Sequence, residues 1–278
     1  MNIESRYIKL LAKSIMNEIY DETPIITSED ISTCQWIIED LDRRKSDIFR
    51  EYPHLRDAMN FAHMISYTRR SRRVHTYVKR PGIDNVISCC ECVINENVPG
   101  GFMEIGTLRG GISILMNGII TAHGDSRQVF VVDSFQGLPD VSENDSLFDK
   151  EIWSYYSNQL KNYMFDCKCS LEEVKSNFST YDLLTENVKF ISGWVQDTLK
   201  DFSETLSIIR LDVDWYEATK CSLEQIYKNL SPNGFIIIDD YNLVGCKKAV
   251  DEFRDNYSIQ DEIVIVDATA GIIYWRKT

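Results

Sequence analysis

Several things are missing from this chain of 278 residues, and each absence narrows its function. No apolar run reaches the roughly eighteen residues a membrane-spanning helix needs. Met1 to Tyr20 mixes charges with apolar residues and has no uninterrupted apolar core for a signal peptide. A chain that neither spans a membrane nor carries an export signal is expected in the cytoplasm. Positive charge is scarce: Lys and Arg total 30 against 43 Asp and Glu, a net charge of −13. That balance excludes a general nucleic-acid binder, which needs a basic surface for phosphate contacts. The one basic run, Arg69-Arg70-Ser71-Arg72-Arg73, reads as a solvated helix face or helix end, the competing reading being a contact to an anionic substrate or a partner subunit. The eight cysteines, at 34, 89, 90, 92, 167, 169, 221 and 246, include Cys89-Cys90-x-Cys92 and Cys167-x-Cys169, which do not make up the usual two C-x2-C pairs of a zinc site. They read as free thiols of a reducing compartment. No internal repeat or low-complexity tract is present.

What is present falls into two parts. Residues 1–98 show helical periodicity and no strand series, and read as a helical cap too short and too polar to bury a core alone. Ile8, Leu11, Ile15 and Ile19 define an amphipathic helix ending near Asp21. Further helices are expected over 31–41 (with Ser28 as a possible cap), 57–68 and 83–95. Residues 99–278 alternate strand and helix. Strands are expected at 100–105, 129–133, 188–191, 206–212, 234–239, 263–267 and 271–276. Helices are expected at 110–122, 170–184, 216–229 and 245–257. Such alternation means βαβ units and a parallel sheet covered on both faces. The last two strands are separated only by Ala268-Thr269-Ala270-Gly271, which suits an antiparallel hairpin. The fold expected is α/β, a mostly parallel Rossmann-like sheet closed by that hairpin, as in a class I methyltransferase core. Residues 140–169 interrupt the alternation with a polar start and an aromatic-rich continuation. That stretch reads as a lid beside the site, or as an ordinary insertion anchored by its aromatics.

Two apolar runs end in carboxylates: Ile208-Ile209-Arg210-Leu211-Asp212-Val213-Asp214 and Phe235-Ile236-Ile237-Ile238-Asp239-Asp240. In an open parallel sheet the carboxyl ends of the strands form one edge, where ligands bind. Asp212, Asp214, Asp239 and Asp240 are therefore expected to converge. Four carboxylates repel one another unless a cation sits among them, and hard oxygen ligands suit Mg²⁺ or Ca²⁺. The competing reading is helix N-caps on βα loops.

The first strand runs into Glu104-Ile105-Gly106-Thr107-Leu108-Arg109-Gly110-Gly111. Its glycines let the backbone approach a ligand, but the spacing is not the Gly-x-Gly-x-x-Gly of dinucleotide folds. Glu104 would repel a pyrophosphate, whereas it can accept a hydrogen bond from an ammonium. S-adenosylmethionine has an ammonium and no phosphates, so Glu104 favours that cofactor over NAD. Asp133, at the end of the second strand before Ser134, is placed to take ribose hydroxyls, which both cofactors carry. After the third strand, Gly193-Trp194 offers an indole to pack on adenine, or a core tryptophan. The candidate cofactor residues are Glu104, Gly106, Thr107, Gly110, Asp133, Ser134, Gly193 and Trp194.

Five ordered stretches resemble the macrocin O-methyltransferase family, which includes enzymes methylating sugars of macrolide and aminocoumarin antibiotics. They are Gly101-Phe-Met-Glu-Ile-Gly-Thr-Leu-Arg-Gly-Gly111, Val132-Asp-Ser-Phe-Gln-Gly-Leu-Pro139, Gly193-Trp-Val-Gln-Asp-Thr-Leu199, Leu211-Asp-Val-Asp-Trp-Tyr-Glu-Ala-Thr219 and Gly234-Phe-Ile-Ile-Ile-Asp-Asp-Tyr241. The start of the chain is similar too, and 40–95 only weakly so. The resemblance implies Mg²⁺-dependent methyl transfer from S-adenosylmethionine to a hydroxyl, usually of a sugar, in a homo-oligomer built through the N-terminal helices. By position it implies Asp212, Asp239 and Asp240 as metal ligands and Asp214 as general base. Asp133 would sit on the ribose, and Glu104 and Gly106 beside the methionine part. The chain departs from the family at Ile105, Thr107 and Leu108, where threonine before the glycine and valine-tryptophan before the arginine are usual. Val213 stands where glycine is frequent, which changes the space near the acceptor. The other readings are a catechol-type methyltransferase, a NAD(P)-dependent oxidoreductase and a non-catalytic binding protein. The acceptor class expected is a small molecule or saccharide, with no nucleic acid and no membrane.

Overall fold

The computed structural model describes residues 2–19, 28–59, 61–62, 74–152 and 167–278. The basic run 69–73 and most of the aromatic stretch 148–165 lie outside them, as does most of the helix expected over 57–68.

Seven strands form one sheet: β1 (Gly101–Ile105), β2 (Val129–Asp133), β3 (Val188–Ser192), β4 (Leu206–Leu211), β5 (Leu230–Ile238), β6 (Val264–Asp267) and β7 (Ile272–Arg276). Their order is β3-β2-β1-β4-β5-β7-β6. The first five are parallel, and β7 pairs antiparallel with both β5 and β6. The longer helices are α1 (Ile3–Ile15), α2 (Ser28–Arg43), α3 (Arg80–Asn95), α4 (Gly111–Ala122), α5 (Leu171–Thr180), α6 (Tyr216–Ile226) and α7 (Val244–Asn256), with short helical turns at Ile48–Glu51, Pro53–Arg56, Val195–Thr198 and Tyr227–Asn229.

The uninterrupted apolar runs make strands because both faces of the sheet are covered. Alternate residues serve opposite cores. Phe102, Val131, Ile208 and Ile237 join α1, α3, α4 and α5 on one face. Met103, Val132, Ile209 and Ile236 join α6 and α7 on the other. Each fully buried Ile, Val or Phe contributes about 1.5–3 kcal/mol. The central strands are thus anchored from both sides, and their carboxyl ends are held rigid.

α1 stops at Ile15, short of the expected end near Asp21. Asn17 takes a left-handed φ of 58° and the Glu18 N–H returns to the Lys13 carbonyl, a Schellman-type stop that leaves Ile19 half-exposed. α5 ends the same way at Thr180, with Asp182 at φ 55° and the Leu183 N–H on the Phe178 carbonyl. α1 and α3 pack into the main core. Residues 34–62 bury a small cluster of their own: Cys34, Ile37, Leu41, Ile48, Phe49, Leu55 and Phe61, joined by Ile152. The polar look of 1–98 hides that cluster because its apolar residues are spread over several short helices.

Candidate active site

The chain leaves β1 through Gly106, at φ 80°, where a Cβ would lie 1.7 Å from the Asp212 carbonyl oxygen. Only glycine allows that approach, so the β1 and β4 ends close on each other. Asp133 organises the turn that follows. Its Oδ2 accepts the backbone N–H groups of Thr107 at 2.8 Å and Leu108 at 3.3 Å, and its Oδ1 accepts that of Phe135 at 2.7 Å. Burial pushes its pKa up and those three donors oppose the rise. Gly110, at φ 82°, begins α4, and a Cβ there would meet Val174 and Phe178 of α5.

Over the carboxyl ends of the strands lies a cavity of about 860 Å³, within the range of small-molecule sites. Glu104, Gly106, Thr107, Asp133, Ser134, Gly193 and Trp194 line it, with Asp212, Asp214, Asp239 and Asp240 on the same wall system. Gly110 does not line it: it faces α5 and serves packing. Trp194 belongs to neither core cluster and stands on the cavity wall. The Thr107 hydroxyl is buried without a hydrogen-bond partner.

All four aspartates line this cavity, and three of them form a close group that leaves out Asp239. Asp212, Asp214 and Asp240 can each offer a carboxylate oxygen within 4.8 Å of the others, the one such metal-capable group among the described residues. The Asp214 backbone, at φ 55°, donates its N–H to Asp240 Oδ2 at 3.2 Å. Burial and the neighbouring carboxylates push the Asp214 carboxyl up to about 8 and Asp240 well above the ordinary range. Asp239 is pushed up only to about 6, because Arg210 offsets part of its burial.

A cation already sits beside part of this cluster. Arg210, on β4, is 1% exposed. Its Nη1 donates to Glu104 Oε1 at 2.7 Å, its Nη2 donates to Asp212 Oδ2 at 2.9 Å, and Nη2 lies 2.8 Å from Asp239 Oδ1. Glu104 also accepts the Ser113 hydroxyl of α4. Burial still pushes Glu104 up to about 7, against the pull of Arg210 and Ser113. Burial alone would lower the Arg210 pKa; the three carboxylates hold it above its ordinary value.

Comparison with known proteins then decides the family. The macrocin O-methyltransferase family model matches residues 4–277. The chain belongs to the macrocin O-methyltransferase family. It is 41% identical over 206 residues to a tetracenomycin 4'-O-methyltransferase of Streptomyces olivaceus, covering 73% of this chain and 76% of that protein. It is 39% identical over 231 residues to demethyldecarbamoylnovobiocin O-methyltransferase of Streptomyces niveus, covering 79% and 85%. The solved O-methyltransferase NovP superposes with a TM-score of 0.75 at 34% identity, covering 99% of each chain. The protein is therefore an O-methyltransferase on a class I methyltransferase fold.

In this methyltransferase three features on or behind the cavity wall were absent from the candidate site residues. Thr76 to Lys79 run along the cavity, held over the glycine-rich turn by the Gly111 N–H on the His75 carbonyl and by Arg109 Nη1 on the Val74 carbonyl. No periodicity marks such an extended strap. Asp145, buried, accepts the Tyr216 N–H at α6 through Oδ1 and the Ser142 N–H and hydroxyl through Oδ2, which fastens the loop after Pro139 beside the aspartates. Arg210 was the third, and a charged residue inside an apolar strand run was the available signal. Among the described residues no helix is long and apolar enough to cross a membrane.

Proposed function

We propose that this O-methyltransferase moves the methyl group of S-adenosylmethionine to a sugar hydroxyl on a glycosylated small molecule, with Mg²⁺ as its metal. The observation that carries the reading is that one cavity joins the glycine-rich turn to the aspartate cluster. The Streptomyces olivaceus relative is named for a rhamnosyl-bearing acceptor, which supports a sugar here.

Trp194 would pack on the adenine, and Asp133, which already holds the turn, would face the ribose. Glu104 would accept a hydrogen bond from the ammonium of the methionine part, and the buried, unpartnered Thr107 hydroxyl would take a further polar atom there. Gly106 and Gly193, both at positive φ, let the backbone turn tightly on the cavity wall where the cofactor would lie, and Ser134 lies beside Asp133. Gly110 acts at one remove, by shaping the turn.

The aspartate cluster fits a divalent cation, because its carboxyls are held above their ordinary range by one another and by burial. Asp212 and Asp240, from the three-carboxylate group, would hold Mg²⁺ together with Asp239, which lies outside that group on Arg210; when bound the ion would supply Lewis acidity and make a nearby hydroxyl a stronger acid. Asp214 takes the hydroxyl proton on its carboxylate as the methyl leaves sulfur. The sulfonium is the electrophile, so no protein nucleophile is needed, and the cavity walls align hydroxyl, methyl and sulfur. Ile3 and Leu10, exposed on α1, support a homo-oligomer through the N-terminal helices, which light scattering of the eluting protein would test.

The test is calorimetric titration of S-adenosylhomocysteine and of Mg²⁺ into metal-stripped protein, with Asp214→Asn in parallel. Both ligands bind wild type, and Asp214→Asn keeps S-adenosylhomocysteine affinity while turnover on a sugar acceptor falls about 10²- to 10⁴-fold. Absence of S-adenosylhomocysteine binding overturns the cofactor, full activity in excess EDTA overturns the metal, and wild-type turnover in Asp214→Asn removes the base.

A further inference from the structure

Arg210 needs an explanation that the fold does not supply. Its β4 neighbours Ile208, Ile209 and Leu211 are buried and apolar, and so is Ile237, its register partner on β5. An apolar residue at 210 would satisfy the sheet without desolvating a guanidinium, which is costly. Its other register partner is Glu104 on β1, so the two side chains emerge from neighbouring strands on the same face. Nη1 reaches Glu104, on the glycine-rich side of the cavity, and Nη2 reaches Asp212 and Asp239, at the strand ends. Nε makes no hydrogen bond, so the two Nη groups alone orient the fork. Glu104 is clamped between Arg210 and Ser113 and has no freedom to turn away.

We propose that Arg210 is a positioning residue that couples the cofactor half of the site to the cation half. It rests on the function proposed above. One rigid guanidinium sets the Glu104 carboxylate where it meets the cofactor ammonium, and the same plane sets Asp212 and Asp239 for the cation. A ligand that settles one half therefore pre-arranges the other, and binding of either strengthens binding of the second reciprocally. A lysine keeps the charge but lacks the planar fork, so it cannot serve both halves at once.

The experiment measures Mg²⁺ affinity by calorimetry with and without saturating S-adenosylhomocysteine, in wild type, Arg210→Lys and Glu104→Gln. The ratio of the two Mg²⁺ dissociation constants is the readout. It cancels any uniform change in charge or stability, so a merely structural role for Arg210 leaves it unmoved. The wild-type ratio is expected at about fivefold or more, and in both variants it falls to near one. Arg210→Lys also loses about 10- to 100-fold in Mg²⁺ affinity, as expected when a hydrogen-bond partner of metal-binding carboxylates is removed. Glu104→Gln keeps the shape of the side chain and supplies the test if Arg210→Lys fails to fold. A wild-type ratio of one, or a folded variant with the wild-type ratio, overturns the coupling while leaving the methyltransferase reading intact. Wild-type protein that binds no S-adenosylhomocysteine overturns both.

Discussion

Removing metal should make this enzyme's stability depend on pH in an unusual direction. Asp214 is held at about 8 against an ordinary 3.8, by burial first and then by Asp212, Asp149, Asp239 and Asp145. A carboxyl whose folded-state pKa lies above its unfolded value stabilises the fold below the unfolded value. That contribution is lost as pH rises through the folded one, here between about 4 and about 8. Metal-stripped protein therefore gains stability on going from about pH 8 to about pH 6. A group with these two values changes folding free energy by about 2 kcal/mol over that interval. Asp214 is only partly buried, and water at the cavity wall reduces the effect to about 1–2 kcal/mol. For a chain of this size that is a rise in Tm of about 2–5 °C. The assay is thermal unfolding in EDTA at both pH values, for wild type and Asp214→Asn. Glu104, Asp239 and Asp240 are raised too and act in the same sense as Asp214, whereas burial and Arg109 lower the His75 pKa and it acts in the opposite sense; all four groups are present in both proteins, so the comparison is the difference between the two. Asp214→Asn should be the more stable of the two near pH 8, and Mg²⁺ should raise the wild-type Tm more there than near pH 6. A wild-type Tm that changes on acidification by the same amount as that of Asp214→Asn refutes the account of the cluster.

Two further predictions test the scaffold. Gly106→Ala should abolish S-adenosylhomocysteine binding and lower Tm, because the new Cβ would stand 1.7 Å from the Asp212 carbonyl at a φ of 80°; calorimetry and thermal unfolding read both, and wild-type affinity would refute the close approach of β1 and β4. Ser170→Ala should cost about 1 kcal/mol with turnover unchanged, since the Ser170 hydroxyl accepts the Glu173 N–H at 3.2 Å in a capping box that begins α5; a loss of activity beyond the loss of folded protein would show that α5 does more than pack.

The sequence alone determined the strands, the order of strands and helices, and the presence of carboxylates where β4 and β5 end. These follow from local physics: apolar runs bounded by turns make buried strands, and a residue at the end of a parallel strand faces the ligand edge whatever surrounds it. It also determined the glycine at 106, although not that the Asp212 carbonyl is what requires it. Tertiary structure decided which groups share a charge. Arg210 and Glu104 are far apart in the chain, and only the β1–β4 register makes them partners. That register also brings Arg210 onto Asp212 and Asp239, so two of the four aspartates meet a guanidinium that a linear reading treated as one more position in a strand. The same holds for Asp133, whose backbone contacts depend on how the turn after β1 folds over β2, and for Thr76 to Lys79, which reach the cavity because the chain crosses above α4. Hydrophobic period is written in neighbouring residues, whereas charge pairing is set by distance across the sheet, and only the folded sheet fixes that distance.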